Sequence, residues 1–495
     1  SLAQAILVQG VKSSPAGLWS TPPKLGPLMG ACAQYGFSTT GDPRPESVRT
    51  HKDAAAVLRE ASLEPVSDDV DNEAAVILLQ GDLRLVSGLW LLSRDKPYRV
   101  QRLQELPPEA LVPPRDAAAM MLETPGDRTA PPRILALSYR WLSKEHPDPG
   151  GIQLLKMRGF LHHMVLAVFR SKPDASTREE LDIGILWDYM SLPQHPRSAS
   201  ENDVFLRGLK AINRVYGSRK NTITLQCIGD PDGSHPYHKS GWCRFEEAVS
   251  GIGKVGSRLL AVDGEVPQLQ INQMCAVNFV PPHRGHAVLE DHGLHSIANE
   301  LQREYAKGSS LQDWIWLCSV MSTSRLPPIH PDDMARLLRS NKVVFTSQSD
   351  SEMVIQKYRD FFGQVADTMV RLEYGHKVLC ASGDKIERYA KVTWSLDQFR
   401  LLGNALGEGG LHKCTYLSLG GINLSTAGAR ALAEALSSAS SLKEVQLPTE
   451  IKKMESRYVG KIYVEDQSVE RAAISLLSKK LAELSINVSY ATGVH

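Results

Sequence analysis

Cysteine is scarce: seven residues among 495, scattered singly and with no Cys-x-x-Cys pair. That argues against a disulfide-framed secreted domain and points to a reducing compartment, the cytoplasm. Net charge is also missing, since Lys plus Arg number 56 against 55 Asp plus Glu, leaving +1. With no basic field to hold a phosphate polymer or an anionic lipid surface, nucleic acid is not expected as a partner. Long apolar runs are lacking too. A bilayer span needs about 18 uninterrupted apolar residues, and the nearest stretch, Leu154 to Phe169, is broken by Lys156, Arg158 and two histidines. No membrane partner is expected, and the short apolar run Ala3 to Val8 lacks the basic lead of a secretory signal.

What is present is an ordinary globular balance, 42% apolar and 22% charged, in a chain long enough for about three domains. Residues 1–130 read as a partly ordered arm rich in Gly, Pro, Ser and Ala. It carries one helix at Ala54 to Ala61 and a β-hairpin over Ala74 to Leu92 turning at Gln80, Gly81 and Asp82. Residues 131–282 alternate buried-strand and helix patterns. Arg133 to Tyr139, Asp182 to Trp187, Asn221 to Ile228 and Ser257 to Val262 are the strands. Leu154, Leu161, Met164, Val165 and Val168, then Phe205, Leu209, Ile212 and Tyr216, then Trp242 to Ser250 mark the helices between them. Short connections of this kind predict a parallel sheet with right-handed crossovers. Residues 283–390 read as helical, with Ser296 to Tyr305 and Glu352 to Leu372 the clearest segments. In 391–495, Leu417 and Leu419 are echoed at Val445 and Leu447, a period of 28 residues, and Leu402 and Leu406 anticipate Leu432 and Leu436. About two repeat units are expected, too few to stand alone, so the region should either pack on its neighbours or be the edge of a longer array.

Ligands of a doubly wound sheet gather where loops leave the carboxyl ends of the strands. Those loops carry Ser138, Tyr139, Arg140 and Trp141, then Trp187, Asp188, Tyr189, Ser191, Pro193 and Gln194. On a helical wheel with Trp242 at zero, Phe245 falls at about 300°, Glu246 at about 40° and Glu247 at about 140°. Glu246 therefore lies inside the apolar stripe, where a carboxyl is costly unless it is paired or borders a cavity. The bland alternative is a stripe-edge carboxylate in a salt bridge with Arg140 or Arg244.

The order Leu-Ser-Tyr-Arg-Trp (137–141), Trp-Asp-Tyr-Met-Ser-Leu-Pro-Gln (187–194) and Gly-Trp-Cys-Arg-Phe-Glu-Glu-Ala (241–248) resembles a Toll/interleukin-receptor (TIR) domain and is similar to the fungal heterokaryon-incompatibility (HET) domain, over about residues 133–265. The resemblance implies a flavodoxin-like α/β core, here followed by a helical segment and a small unit similar to leucine-rich repeats (LRR). It implies an intracellular signalling or self-recognition protein that associates with itself through the core and grips an unknown protein through the repeat-like region. It further implies that Glu246 stands where catalytic relatives cleave the nicotinamide glycosidic bond of NAD, with Arg140 for a phosphate, Trp141, Trp187 or Tyr189 for a base, and Trp242 among the substrate-binding residues. NAD would then be substrate, with no resident cofactor. The alternative is a catalytically inactive scaffold.

Two further signals are set aside. Gly251, Gly253 and Gly256 spell a dinucleotide fingerprint, but a helix precedes it and a strand follows, the reverse of what phosphate binding needs. Cys227, His235, His238 and Cys243 are close in sequence but lack zinc-ligand spacing, so no metal is expected.

Overall fold

The computed structural model describes residues 47–66, 69–94, 98–123, 131–143, 145–229, 236–254, 258–267, 283–306, 311–323, 325–345, 349–374, 377–380, 387–390, 392–437, 439, 441–448, 454–456, 460–464 and 471–490. It is a mixed α/β protein built on parallel sheets. The main sheet has five strands: β1 (Val86–Ser87), β2 (Ile134–Tyr139), β3 (Gly184–Leu186), β4 (Thr222–Cys227) and β5 (Leu259–Val262), in spatial order β1-β3-β2-β4-β5. Strands β2 to β5 pair in parallel, with Ile134 opposite Gly184 and Ser138 opposite Gln226, whereas β1 is an antiparallel edge. Each of the four predicted strands is present, trimmed at its ends.

Strand alternation sorts the two faces. Leu135, Leu137 and Tyr139 of β2 pack with Ile223, Leu225 and Cys227 of β4 under the Ile152–Ser171 helix. Ile134 and Ala136 face the other way, toward the Ala199–Gly217 and Gly241–Gly253 helices. On this second face β4 presents Thr222, Thr224 and Gln226, all buried.

The expected hairpin over Ala74 to Leu92 is not formed. Asp69–Gln80 is a helix, and Gly88–Leu92 is a short helix following β1. Val70, Ala74, Ala75 and Leu78 recur at helical spacing and enter the core, so packing on the Pro114–Leu122 helix overrode the β-like look of the apolar run. The described part of the region read as an arm therefore supplies the edge strand of the sheet and helices packed in its core.

The predicted helix over Glu352 to Leu372 is Ser349–Ala366, and Arg371–Glu373 is already a strand. That strand opens a second sheet in which Arg371–Glu373, Tyr416–Ser418, Glu444–Leu447 and Asn487–Tyr490 lie side by side in chain order, all parallel. Helices Leu396–Leu406, Thr426–Leu436 and Arg471–Glu483 connect them. Leu417 sits directly opposite Val445, as the 28-residue echo implied. The stack is larger than two units and begins ahead of residue 391, because its first strand follows straight from the helical segment. Its core is continuous with the second face of the main sheet.

Candidate functional site

The Gly241–Gly253 helix starts at Ser240, whose hydroxyl accepts from Cys243 N–H (3.4 Å). It lays Glu246, Ser250 and Lys254, each one turn apart, on the polar positions of β4 and β2. At the far end Lys254 Nζ donates to Ser218 O (2.5 Å), Thr222 O (3.0 Å) and the Thr222 hydroxyl. In the middle Ser250 and Thr224 join hydroxyls at 3.0 Å, and Ser250 donates to Tyr216 O (3.2 Å). At the carboxyl ends of the strands Ser138 Oγ donates to Glu246 Oε2 (2.6 Å). The Tyr237 hydroxyl is 2.6 Å from Ser138 Oγ. Its own oxygen accepts from Gln226 Nε2 (3.2 Å). The result is a buried polar seam, with a four-residue relay, Gln226 to Tyr237 to Ser138 to Glu246, at its upper end.

Glu246 points inward, as the wheel implied, and is 3% exposed. Burial pushes its carboxyl up to about 8; the Ser138 hydrogen bond opposes the rise and the nearby Asp188 carboxylate adds to it. The group therefore keeps its proton at neutral pH. The salt-bridge alternative does not hold: Arg140 donates to Pro236 O (3.2 Å), while Arg244 pairs with Glu247 (2.9 Å). Burial pushes the Tyr237 phenol well above its ordinary value, and the Cys227 and Cys243 thiols up to about 12, so neither sulfur is a nucleophile at neutral pH.

A second polar group lies beside the first. Tyr139 donates to Asp188 Oδ1 (2.6 Å), which also accepts from Tyr189 N–H (2.8 Å). Trp187 packs edge-on against Tyr139 at 5.6 Å between ring centroids, and Trp141 against Tyr189 at 5.7 Å. Gln194 braces the loop by donating to Asp188 O (3.1 Å) and Leu192 O (2.8 Å), and its backbone exchanges hydrogen bonds with the Gln104 side chain (2.6 and 2.9 Å). Nine of the ten candidates thus gather at the carboxyl edge of the sheet. Trp242 does not join them: its indole donates to Asp350 Oδ2 (3.3 Å) and its ring meets Phe245. Tyr237 and Gln226 escaped sequence reasoning, and Tyr216, read only as a helix residue, donates to Leu137 O (2.7 Å). Gln226 had a signal, as the third polar residue in the alternating run Thr222, Thr224, Gln226.

Ser138, Tyr237 and Glu246 are each no more than 3% exposed, so the relay is covered by side chains. A groove of about 780 Å³ lies elsewhere, between the Thr426–Leu436 and Arg471–Glu483 helices, lined by Arg430, Glu434, Leu476, Lys479 and Glu483. Among the described residues no group of three or more His, Cys, Asp or Glu is placed to hold a metal ion, and no helix is long and apolar enough to cross a membrane. No protein-family model, curated protein or solved structure matches the chain.

Proposed function

We propose that this chain is a signalling or self-recognition scaffold whose TIR/HET-like core is catalytically silent. The core associates with further copies of itself, and the LRR-like stack grips a protein partner. The parallel order β3-β2-β4-β5 supports a flavodoxin-like core. The observation that carries the reading is the commitment of Glu246 to the seam: it is 3% exposed and hydrogen-bonded to Ser138 under Tyr237. Stabilising a ribosyl oxocarbenium ion requires an ionised carboxylate facing the sugar, whereas this one is covered by side chains and its burial favours the neutral acid. The groove of the stack is a concave surface with charges of both signs for a partner.

The second reading is NAD hydrolysis, favoured by the placement of Glu246 beside Ser138 at the strand ends with Asp188 near. Incubating the full chain with NAD, at high protein concentration and with a crowding agent, separates the two. The scaffold reading expects no free nicotinamide above the blank, together with self-association in sedimentation. Nicotinamide release that disappears in Glu246→Gln would replace it with the enzyme.

A further inference from the structure

The Glu246 helix is gripped at both ends by chain that follows the core. At its start, Gly241 N–H donates to Val344 O (3.1 Å) and Val344 N–H to Lys239 O (2.7 Å). The Phe345 ring lies so close that a Cβ on Gly241 would come within 2.1 Å of it, and Asp350 takes the Trp242 indole. At its end the last carbonyls lack intrahelical partners, and Arg325 supplies them: Nε donates to Gly251 O (3.0 Å) and Nη2 to Ile252 O. The same guanidinium donates through Nη1 to Glu373 O (2.6 Å), in the first strand of the stack, and stands 5.1 Å from the Tyr374 ring centroid. Between the two ends, Leu326, Ile329 and Leu337 face Ala248 across a cavity of about 30 Å³. One side chain thus joins the Glu246 helix to the stack, and the parallel pairing of β2, β3, β4 and β5 uses none of these contacts.

We propose that Arg325, Val344, Phe345 and Asp350 form a strap that keeps the Glu246 helix seated, tied to the stack through Glu373, so that a partner pulling on the stack releases the helix and opens the core face beneath it for association with another copy. The inference rests on the scaffold reading for its trigger, but the strap itself is tested without a partner or NAD. Full-length chains are treated with a carbodiimide and an amine, and Glu246 modification is mapped by mass spectrometry alongside amide hydrogen exchange. In Arg325→Ala or Phe345→Ala, Glu246 should label about tenfold faster than in the parent and protection across 241–253 should fall by a similar factor, while amides of β2 and β4 keep theirs. Arg325→Lys, which retains a cation for the helix end, should fall between. Parental labelling in both alanine variants overturns the strap, and so does loss of β2 and β4 protection together with the helix. Because neither readout involves NAD or a partner, failure of the scaffold reading would show separately, in the nicotinamide and sedimentation assays.

Discussion

In the C-terminal stack, helices are registered on parallel strands by shape. Gly403 lies so close to the next helix that a Cβ there would come within 1.8 Å of Ala435 Cβ, and Leu402, Leu417, Leu432 and Val445 are fully buried with no polar atom among their side chains. In the main sheet, the Gly241–Gly253 helix is registered by hydrogen bonds, through Glu246, Ser250 and Lys254 on Ser138, Thr224 and Thr222. Apolar contacts are roughly additive and tolerate sliding; a buried polar group out of register is left unpaired, which costs more than the bond contributes. The seam therefore specifies one position of its helix, whereas the stack specifies a volume.

The comparison can be broken at its apolar side first. Leu417→Ala should cost about 2–5 kcal/mol in chemical denaturation, as buried Leu truncations do, with the loss borne by the stack. A cost under about 1 kcal/mol would mean that the stack is loosely packed. The seam responds to pH instead. Folded Glu246 keeps its proton up to about pH 8, whereas its ordinary value is 4.5, so the folded state holds the extra proton between these limits. Its contribution is complete below about pH 4.5 and is lost as pH climbs to about 8, with a slope of at most about 1.4 kcal/mol per pH unit. Melting curves of Glu246→Gln should lack that fall, and identical pH profiles for the two proteins would remove the buried acid from the account. The smallest change is Ser138→Ala, which strands Glu246 Oε2 and the Tyr237 hydroxyl at a cost of about 1–3 kcal/mol. If it proves neutral, the relay does not position the helix.

Three of the parallel strands were legible because Leu135, Ile185 and Leu260 sit in short apolar runs, the pattern of strands covered on both faces, and the fourth because Ile223 and Leu225 alternate with Thr222, Thr224 and Gln226. The inward turn of Glu246 was legible from its place on the wheel, about 40° from Trp242. The Asp69–Gln80 helix was not, because Ala-Val-Ile-Leu-Leu suits a strand or a buried helix equally until its neighbours are known. Tyr237 was hidden for a different reason. It reaches Ser138 from 99 positions away, on a turn with no periodicity to read. Trp242 shares the helix stripe with Glu246 but turns to Asp350 and Phe245, because a shared stripe places two residues on one face without saying which neighbour each one meets.

Local alternation and helical spacing by themselves determined the strands and helices of the main sheet's parallel part, which faces they bury, and that an acid is carried into the core. Those properties depend on residues a few positions apart. Only the tertiary structure decided that the acid is closed beneath a tyrosine, that its partner is a serine and not an arginine, and that the helix bearing it is tied to the stack through Arg325. Each of these is set by groups from distant parts of the chain competing for the same buried hydrogen bonds, and the winner depends on which of them folding brings within reach.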